Sequence, residues 1–448
     1  MKKPNIVEII CHDLGRHLNC YGWNSVKTPN LDALAATGVR FTNAFCTSPS
    51  CTPSRSSIAT GRYPHQNGLM GLCHDGWNFN SDEVILTDLL KKAGYQTMLF
   101  GTQHVVKRTE PEIRRVLNYD IINTESSDCD KVADKFISWV ENDLRSLAED
   151  NPFFASIGFH QPHRPHNKGK FTEDKITAVK IPPYLPDLPG VRKDLAGYEG
   201  LIEDVDRHVG RILDALKKTE ILEDTIVIFT TDHGSAYPRA KMSLYDPGVE
   251  TALIIYWKGR VEGGKVFNEL INNVDMFPTV LELANVVPPK NEGRSFLPLL
   301  LGERYEHSKE IYFERNWHGD YDPMRAVRTK DFKLVRNFKP GFPLKVPYEF
   351  IDNVGKGNVE KYFAVPRPEY ELYDLKRDPN EFNNLYACPD YCEIRKSLEE
   401  KLDVFLRATD DPILKGDIPC PRQKPLKWVW CNDGGKFLLK DLLPDKSA

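Results

Sequence analysis

No run of apolar residues in this sequence approaches the ~20 that a membrane-spanning helix needs. Stretches such as Ile6–Cys11 and Thr225–Phe229 are only strand-length. A basic excess is missing too: 60 Lys and Arg stand against 64 Asp and Glu, a formal net charge of -4. That balance excludes a nucleic-acid binder built on bulk charge and an acidic solvating tail, so an anionic substrate would need a local positive site. The N-terminus has no apolar h-region, because Met1-Lys2-Lys3-Pro4 leads at once into a strand-like run bearing Glu8. No signal peptide is expected as written, and a cytoplasmic location is the default, or a periplasmic or secreted one if a leader was trimmed. The ten cysteines lack regular spacing and are expected to be reduced thiols. Cys388 and Cys392 form C-x3-C near Cys420 and Cys431, but without a C-x2-C pair no zinc site is expected there. Internal repeats and low-complexity tracts are absent as well.

What is present is the alternation of an α/β protein. Asn5–Cys11, Gln96–Phe100, Phe153–Phe159, Thr225–Thr231 and Thr251–Trp257 read as short β-branched strands. Thr28–Thr37, Leu86–Ala93, Cys129–Leu147, Leu195–Lys218 and Asn273–Ala284 read as helices between them. The expected fold is a large mixed, mostly parallel sheet with helices on both faces. After about residue 308 the texture changes to short strands, Glu310–Glu314, Met324–Arg328, Phe332–Asn337 and Tyr370–Leu375, then a helix Glu393–Ala408. This divides the chain into a catalytic α/β domain, 1–308, and a C-terminal antiparallel sheet plus helix, 309–448. Pro-rich Ile181–Pro189 and Pro340–Pro347 read as surface loops. Trp428 and Trp430, at alternating spacing, read as packing residues rather than a sugar platform.

Strand one runs into His12-Asp13, the second toward His104, the third into His160 and His163, the fourth into Asp232-His233. The carboxyl ends of parallel strands form one rim where ligands gather. Any one of these histidines is more often a surface or core residue, but five just after strands is not a chance scatter. Separately, Cys51-Thr52-Pro53-Ser54-Arg55 precedes Ser56–Gly61. With Pro53 as the first helical residue, Cys51 would stand just before a helix N-terminus closed by Gly61, a place that suits anions or a thiolate. A buried cysteine at a loop-to-helix join is the other reading.

Cys51–Arg55 with Thr60-Gly61 resembles the sulfatase signature of the alkaline phosphatase superfamily. So do Cys51–Asp75 with His65–Gly68, Gly158–Arg164, Asp232–Gly234 with Lys241 and Leu244–Gly248, and Met324–Val327 with Phe332–Val335, in the same order. The resemblance implies that Cys51 is oxidised to formylglycine by a formylglycine-generating enzyme, and that its hydrate attacks sulfur while Arg55 holds it. It also implies that the second hydroxyl of the hydrate then expels sulfate. Lys241, His104 and His160 match positions that contact the sulfuryl oxygens or protonate the leaving group, His160 being the first candidate for general acid. Asp13, Asp232 and His233, with His12 and the modified Cys51, match the metal positions. One divalent cation is implied, usually calcium, with manganese suited by the imidazoles. His74, Asp75, His163 and Arg164 are the substrate-side candidates. The implied activity is hydrolysis of sulfate esters or sulfamates on a sugar, N-sulfated glucosamine of heparan sulfate leading. An oligomer is compatible with all of this.

Two departures stand out. His12 replaces an aspartate of the family pattern, and Gly101-Thr102-Gln103-His104 lacks the lysine of Gly-Lys-x-His, so either Lys107, Arg108 or another basic residue substitutes for it, or the substrate preference has moved. Two other readings remain: a phosphonate or phosphate monoester hydrolase of the same superfamily, and a non-catalytic sugar-binding relative.

Overall fold

The structure, a computed structural model, describes residues 3–144, 151–422 and 431–432. Trp428, Trp430 and the last three residues of the expected helix Cys129–Leu147 lie outside that set. Eight strands form the large sheet: β1 (Asn5–Cys11), β2 (Val39–Phe41), β4 (Gln96–Gly101), β5 (Ile121–Asn123), β6 (Phe153–Phe159), β7 (Thr225–Thr231), β8 (Leu253–Trp257) and β9 (Lys265–Phe267), in the spatial order β5-β4-β6-β1-β7-β8-β2-β9. A short ladder pairs β3 (Ala44–Phe45) with β10 (Ile271–Asn272). The C-terminal sheet is antiparallel, in the order β11 (Glu310–His318), β12 (Asp320–Thr329), β13 (Phe332–Asn337), β15 (Tyr370–Asp374). β14 (Val346–Pro347) pairs with β16 (Cys431–Asn432).

The alternation of β1 accounts for the layering. Val7, Ile9 and Cys11 point into one core with Val205, Val209 and Ile212 of the helix Pro189–Lys218. Ile6 and Ile10 point into the other, with Phe277, Val280 and Leu281 of the helix Met276–Leu283. Both faces are covered, so the strand is apolar almost throughout. Only β8 opposes β7 and β2. A parallel return needs a crossover, whereas residues 232–252 fold back at the rim with no more than the four-residue helix Asp246–Val249. In the C-terminal sheet, Val327, Leu334 and Leu372 pack on Leu398, Leu402 and Leu406, the i, i+4 stripe of the helix Cys392–Ala408. Its other face, with Phe313, Met324, Ala326 and Val335, packs on Phe45, Leu244 and Val249. Among the described residues no helix is long and apolar enough to cross a membrane.

Register brings the rim together. Gly101 pairs with Gly158, and Cys11 with both Phe159 and Thr231, so β4, β6, β1 and β7 end level. The Thr102 N–H donates to Gly158 O at 2.8 Å, and a Cβ on Gly158 would overlap the Thr102 carbonyl. Gly158→Ala is therefore expected to cost roughly 1–3 kcal/mol by overpacking and to displace the segment leading to His104. Urea unfolding together with turnover checks both effects.

Candidate active site

Helix α1 (Cys51–Thr60) begins at Cys51 with Ser50 as N-cap, and Gly61, at φ 66°, closes it by donating its N–H to Ser57 O. Pro53 is thus the third helical residue, not the first as expected, and Cys51 is inside the helix rather than before it. The first turn tolerates proline at any of these places, since its N–H groups have no partner within the helix. Cys51 Sγ lies 3.3 Å from His233 Nε2.

Around it, the β1 and β7 ends interlock. The Asp13 N–H donates to Asp232 Oδ1 at 3.0 Å, with Asp13 held at φ 53°. Arg55 Nε donates to Asp232 Oδ2 at 3.0 Å, and His12 Nδ1 lies 3.0 Å from the same oxygen. Lys241 Nζ spans both oxygens of Asp13 at 2.9 and 2.8 Å. Burial alone would raise Asp13, but Lys241, His163 and His233 hold it below the usual carboxylate range. Burial would lower His233, yet Asp232, Cys51 and Asp13 outweigh it and raise the imidazole to about 9. His233 Nδ1 donates to Gly234 O at 2.9 Å, which fixes the other nitrogen toward Cys51.

The remaining histidines surround this centre. His12 sits with its ring centroid 5.3, 5.4 and 5.6 Å from those of His104, His160 and His163. Burial, then the charge of Arg55, lowers His104 to about 4; burial, with Lys241 and His160, lowers His163 to about 3. His160 is lowered chiefly by burial. These rings are neutral at neutral pH, with a lone pair each.

A cavity of about 470 Å³ opens over the centre, and Asp13, Cys51, His74, Asp75, His104, His160, His163, Arg164 and Lys241 all line it. The sequence-derived residues therefore converge, with differences in what they offer. Arg164 is buried, bidentate to Asp194 at 3.0 and 2.7 Å, and donates from Nε to Ala236 O. It forms the wall and holds a carboxylate from the helix Pro189–Lys218, so it is not the free substrate donor expected of it. Lys107 and Arg108 are exposed, Arg108 donates to Thr124 O at 2.9 Å, and neither lines the cavity. Thr102 instead borders a separate void of about 60 Å³ behind Arg55, with Glu8 and Ser156. Among the described residues the cavity's cationic side chains are Lys241 and Arg164.

Sequence reasoning missed His318 and Glu349, which also line the cavity. β11 and β12 run on past Glu314 and start before Met324, meeting at a hairpin whose Gly319 has φ 76°. The small sheet thereby reaches the rim of the large sheet. The available signal was Trp317-His318-Gly319-Asp320, a glycine turn flanked by a histidine. Glu349 comes from the helix Tyr348–Val354, whose Phe350, Ile351 and Val354 spacing faces the core.

The donors fit a divalent cation. Ligand atoms of His12, Asp13, Cys51 and Asp232 lie within 4.8 Å of one another, all four residues are buried, and His12 Nε2 has no hydrogen-bond partner. No such cluster among the described residues includes Cys388, Cys392 or Cys420.

The sulfatase family model matches residues 4–286, and the model for the N-sulphoglucosamine sulphohydrolase C-terminal region matches 237–351. Over a 465-residue alignment the chain is 30% identical to N-sulphoglucosamine sulphohydrolase of Homo sapiens, covering 91% of each. It is 30% identical over 446 residues to an ulvan-active sulfatase of Formosa agariphila, covering 94% of this chain and 83% of the other. Its fold is similar to that of a protein solved with its substrate D-glucosamine-2-N,6-O-disulfate, at TM-score 0.71 and 21% identity over 92% of this chain and 99% of that one. A phosphonate monoester hydrolase of Agrobacterium radiobacter shares the fold at TM-score 0.70 and 22% identity over 92% and 97%. With a family model spanning most of its length and relatives along the rest, the chain belongs to the sulfatase family and is a sulfuric ester hydrolase.

Proposed function

We propose that this sulfatase removes the N-sulfate of glucosamine units at the end of heparan sulfate chains, using a formylglycine made from Cys51 by a formylglycine-generating enzyme and one divalent cation. The observation that carries the reading is the convergence of ligand atoms of Cys51, His12, Asp13 and Asp232 within 4.8 Å, with Cys51 and Asp13 lining the 470 Å³ cavity. Support comes also from the 30% identity to an N-sulphoglucosamine sulphohydrolase along 91% of both chains. Residues 1–308 are the catalytic domain in this reading and 309–448 the C-terminal subdomain that closes the cavity with His318.

His12, Asp13, Asp232 and His233 would hold the cation with the modified Cys51; calcium suits the carboxylates, manganese the imidazoles. Bound there, it supplies Lewis-acid withdrawal of charge from the sulfuryl group. The aldehyde side chain supplies, as its hydrate, one hydroxyl to attack sulfur and a second to release sulfate. Arg55, fixed through Asp232, orients that hydrate. Lys241 and His104 meet the sulfuryl oxygens. His160, once it has taken up a proton beside the bound anionic sulfuryl group, gives that proton to the departing amine, with His104 as the alternative donor. His163, His74 and Asp75 hold the sugar, and a cavity of this volume admits a chain end rather than the middle of a polymer.

Sulfate release from N-sulfoglucosamine, 6-O-sulfated glucosamine, an aryl sulfate and a phosphonate ester is the test, with aldehyde-bearing enzyme in calcium and in manganese. The sulfamate is expected to give the highest kcat/KM, and chelation to remove activity until one of the two ions is restored. Preference for another ester reassigns the substrate, preference for the phosphonate reassigns the transferred group, and no turnover on any points to a sugar-binding relative.

A further inference from the structure

Apart from the carboxylate-rich centre, one wall of the cavity carries ligating atoms of different chemistry. Cys73 Sγ, a ring nitrogen of His74 and a ring nitrogen of His104 lie within 4.8 Å of one another. Cys73 and His74 open the single-turn helix Cys73–Asp75, while His104 comes from the segment after β4. Thr52, in the first turn of α1, ties the two backbones together: its Oγ1 donates to His104 O at 2.7 Å and accepts from the Cys73 N–H at 3.3 Å. The donors are thus held by one hydroxyl and a helix, not by loop order. Cys73 is buried and leans on Val106 O at 3.5 Å, whereas His74 is exposed and gives an approach from solvent. The His74 and His104 rings are 10° from parallel with centroids 6.0 Å apart.

One sulfur and two imidazole nitrogens, with no carboxylate, select zinc or a like ion over calcium or magnesium, and three protein ligands leave a fourth tetrahedral position for water. Ligand atoms on one zinc stand ~3.5 Å apart, given bonds of ~2.0–2.3 Å. The three atoms stand within 4.8 Å of one another, so ligation needs them to close by up to ~1.3 Å.

We propose that Cys73, His74 and His104 form a second, thiophilic metal site whose occupancy inhibits the hydrolase by taking His104 out of the reaction cavity. The Cys73 thiol loses its proton to solvent as the sulfur–metal bond forms, so the thiolate offsets part of the added charge and no electron is transferred. The inhibitory consequence rests on the role given to His104 above; the metal site does not.

Two arms keep these apart. In the first, Co2+ is titrated as a probe into the calcium-saturated Cys51→Ala variant, which removes the other thiol beside His104 and needs no aldehyde and no turnover. One equivalent is expected to bind with a near-ultraviolet sulfur-to-cobalt band and strong tetrahedral visible bands, all displaced by zinc. Adding Cys73→Ser must abolish the sulfur band, and the surface change His74→Ala must weaken binding at least ~10-fold. A missing sulfur band, or one that survives Cys73→Ser, overturns the site. In the second arm, aldehyde-bearing enzyme is titrated with Zn2+ at fixed calcium. Cys73→Ser is expected to keep its basal rate and to need at least ~10-fold more zinc for half inhibition. Equal inhibition of both forms overturns the link to His104 while leaving the cobalt result standing.

Discussion

Cys51→Ala is expected to lower sulfate release by a factor on the order of 10^4 or more while leaving the fold in place, as loss of a nucleophile does elsewhere. The side chain is 1% exposed at the first position of α1, where alanine favours the helix and removes a single sulfur atom. The stability cost is about 1 kcal/mol, the ordinary scale for a small buried deletion. Its hydrogen-bond neighbour His233 keeps its own bond to Gly234 O and its position beside Asp13, so the charged centre stays assembled. A large loss of rate with near-native urea unfolding therefore isolates the chemistry of one atom. Residual turnover above ~1% of the parent would remove Cys51 from the reaction and leave Lys241 and the histidines to act on substrate without it.

Much of this centre was legible because strands buried on both faces have a plain signature. β1, β6 and β7 are short, mostly apolar runs that stop where the first polar rim residue begins, so His12-Asp13, His160 and Asp232-His233 announce themselves. Where that contrast is absent the sequence is silent. β2 and β9 have three residues each, too few for a period, and they owe their existence to pairing with each other and with β8. The helix Pro189–Lys218 starts six residues before Leu195 because Pro189 suits the first helical position, although the Arg192 and Lys193 that follow are polar. Arg164 is a long-range matter: whether a guanidinium meets substrate or Asp194 depends on a helix thirty residues away. His318 likewise reaches the cavity only because a hairpin of the small sheet docks against the large one.

That docking predicts the second large effect: Lys333→Met is expected to destabilise the protein by roughly 3–5 kcal/mol, the cost of stranding buried partners. Lys333 is fully buried on β13, and its Nζ lies 2.5 Å from Asp246 Oδ1 and 2.7 Å from Glu381 Oε1 while donating to Leu244 O at 3.0 Å. Asp246 keeps Arg328 after the change, but Glu381 keeps only the Asp246 N–H at 2.6 Å and faces that residue's carboxylate. Burial first, then Asp246, already raises Glu381 to about 7 against the pull of Lys333. Without the lysine its carboxyl is raised further. A raised acid adds stability below its unfolded value and loses it as pH climbs through the folded one, so the deficit is expected to be larger at pH 8 than at pH 5.5. Urea unfolding at both values checks this, and equal deficits would place the cost in packing rather than charge. Activity is expected to fall as well, since Leu244 and Asp246 follow Lys241 closely in sequence and Lys241 must stay on Asp13. The sequence stretches Leu244–Gly248 and Phe332–Val335 carry the family resemblance together for a physical reason: one is the loop that holds Lys241 in place, and the other is the strand whose lysine holds that loop.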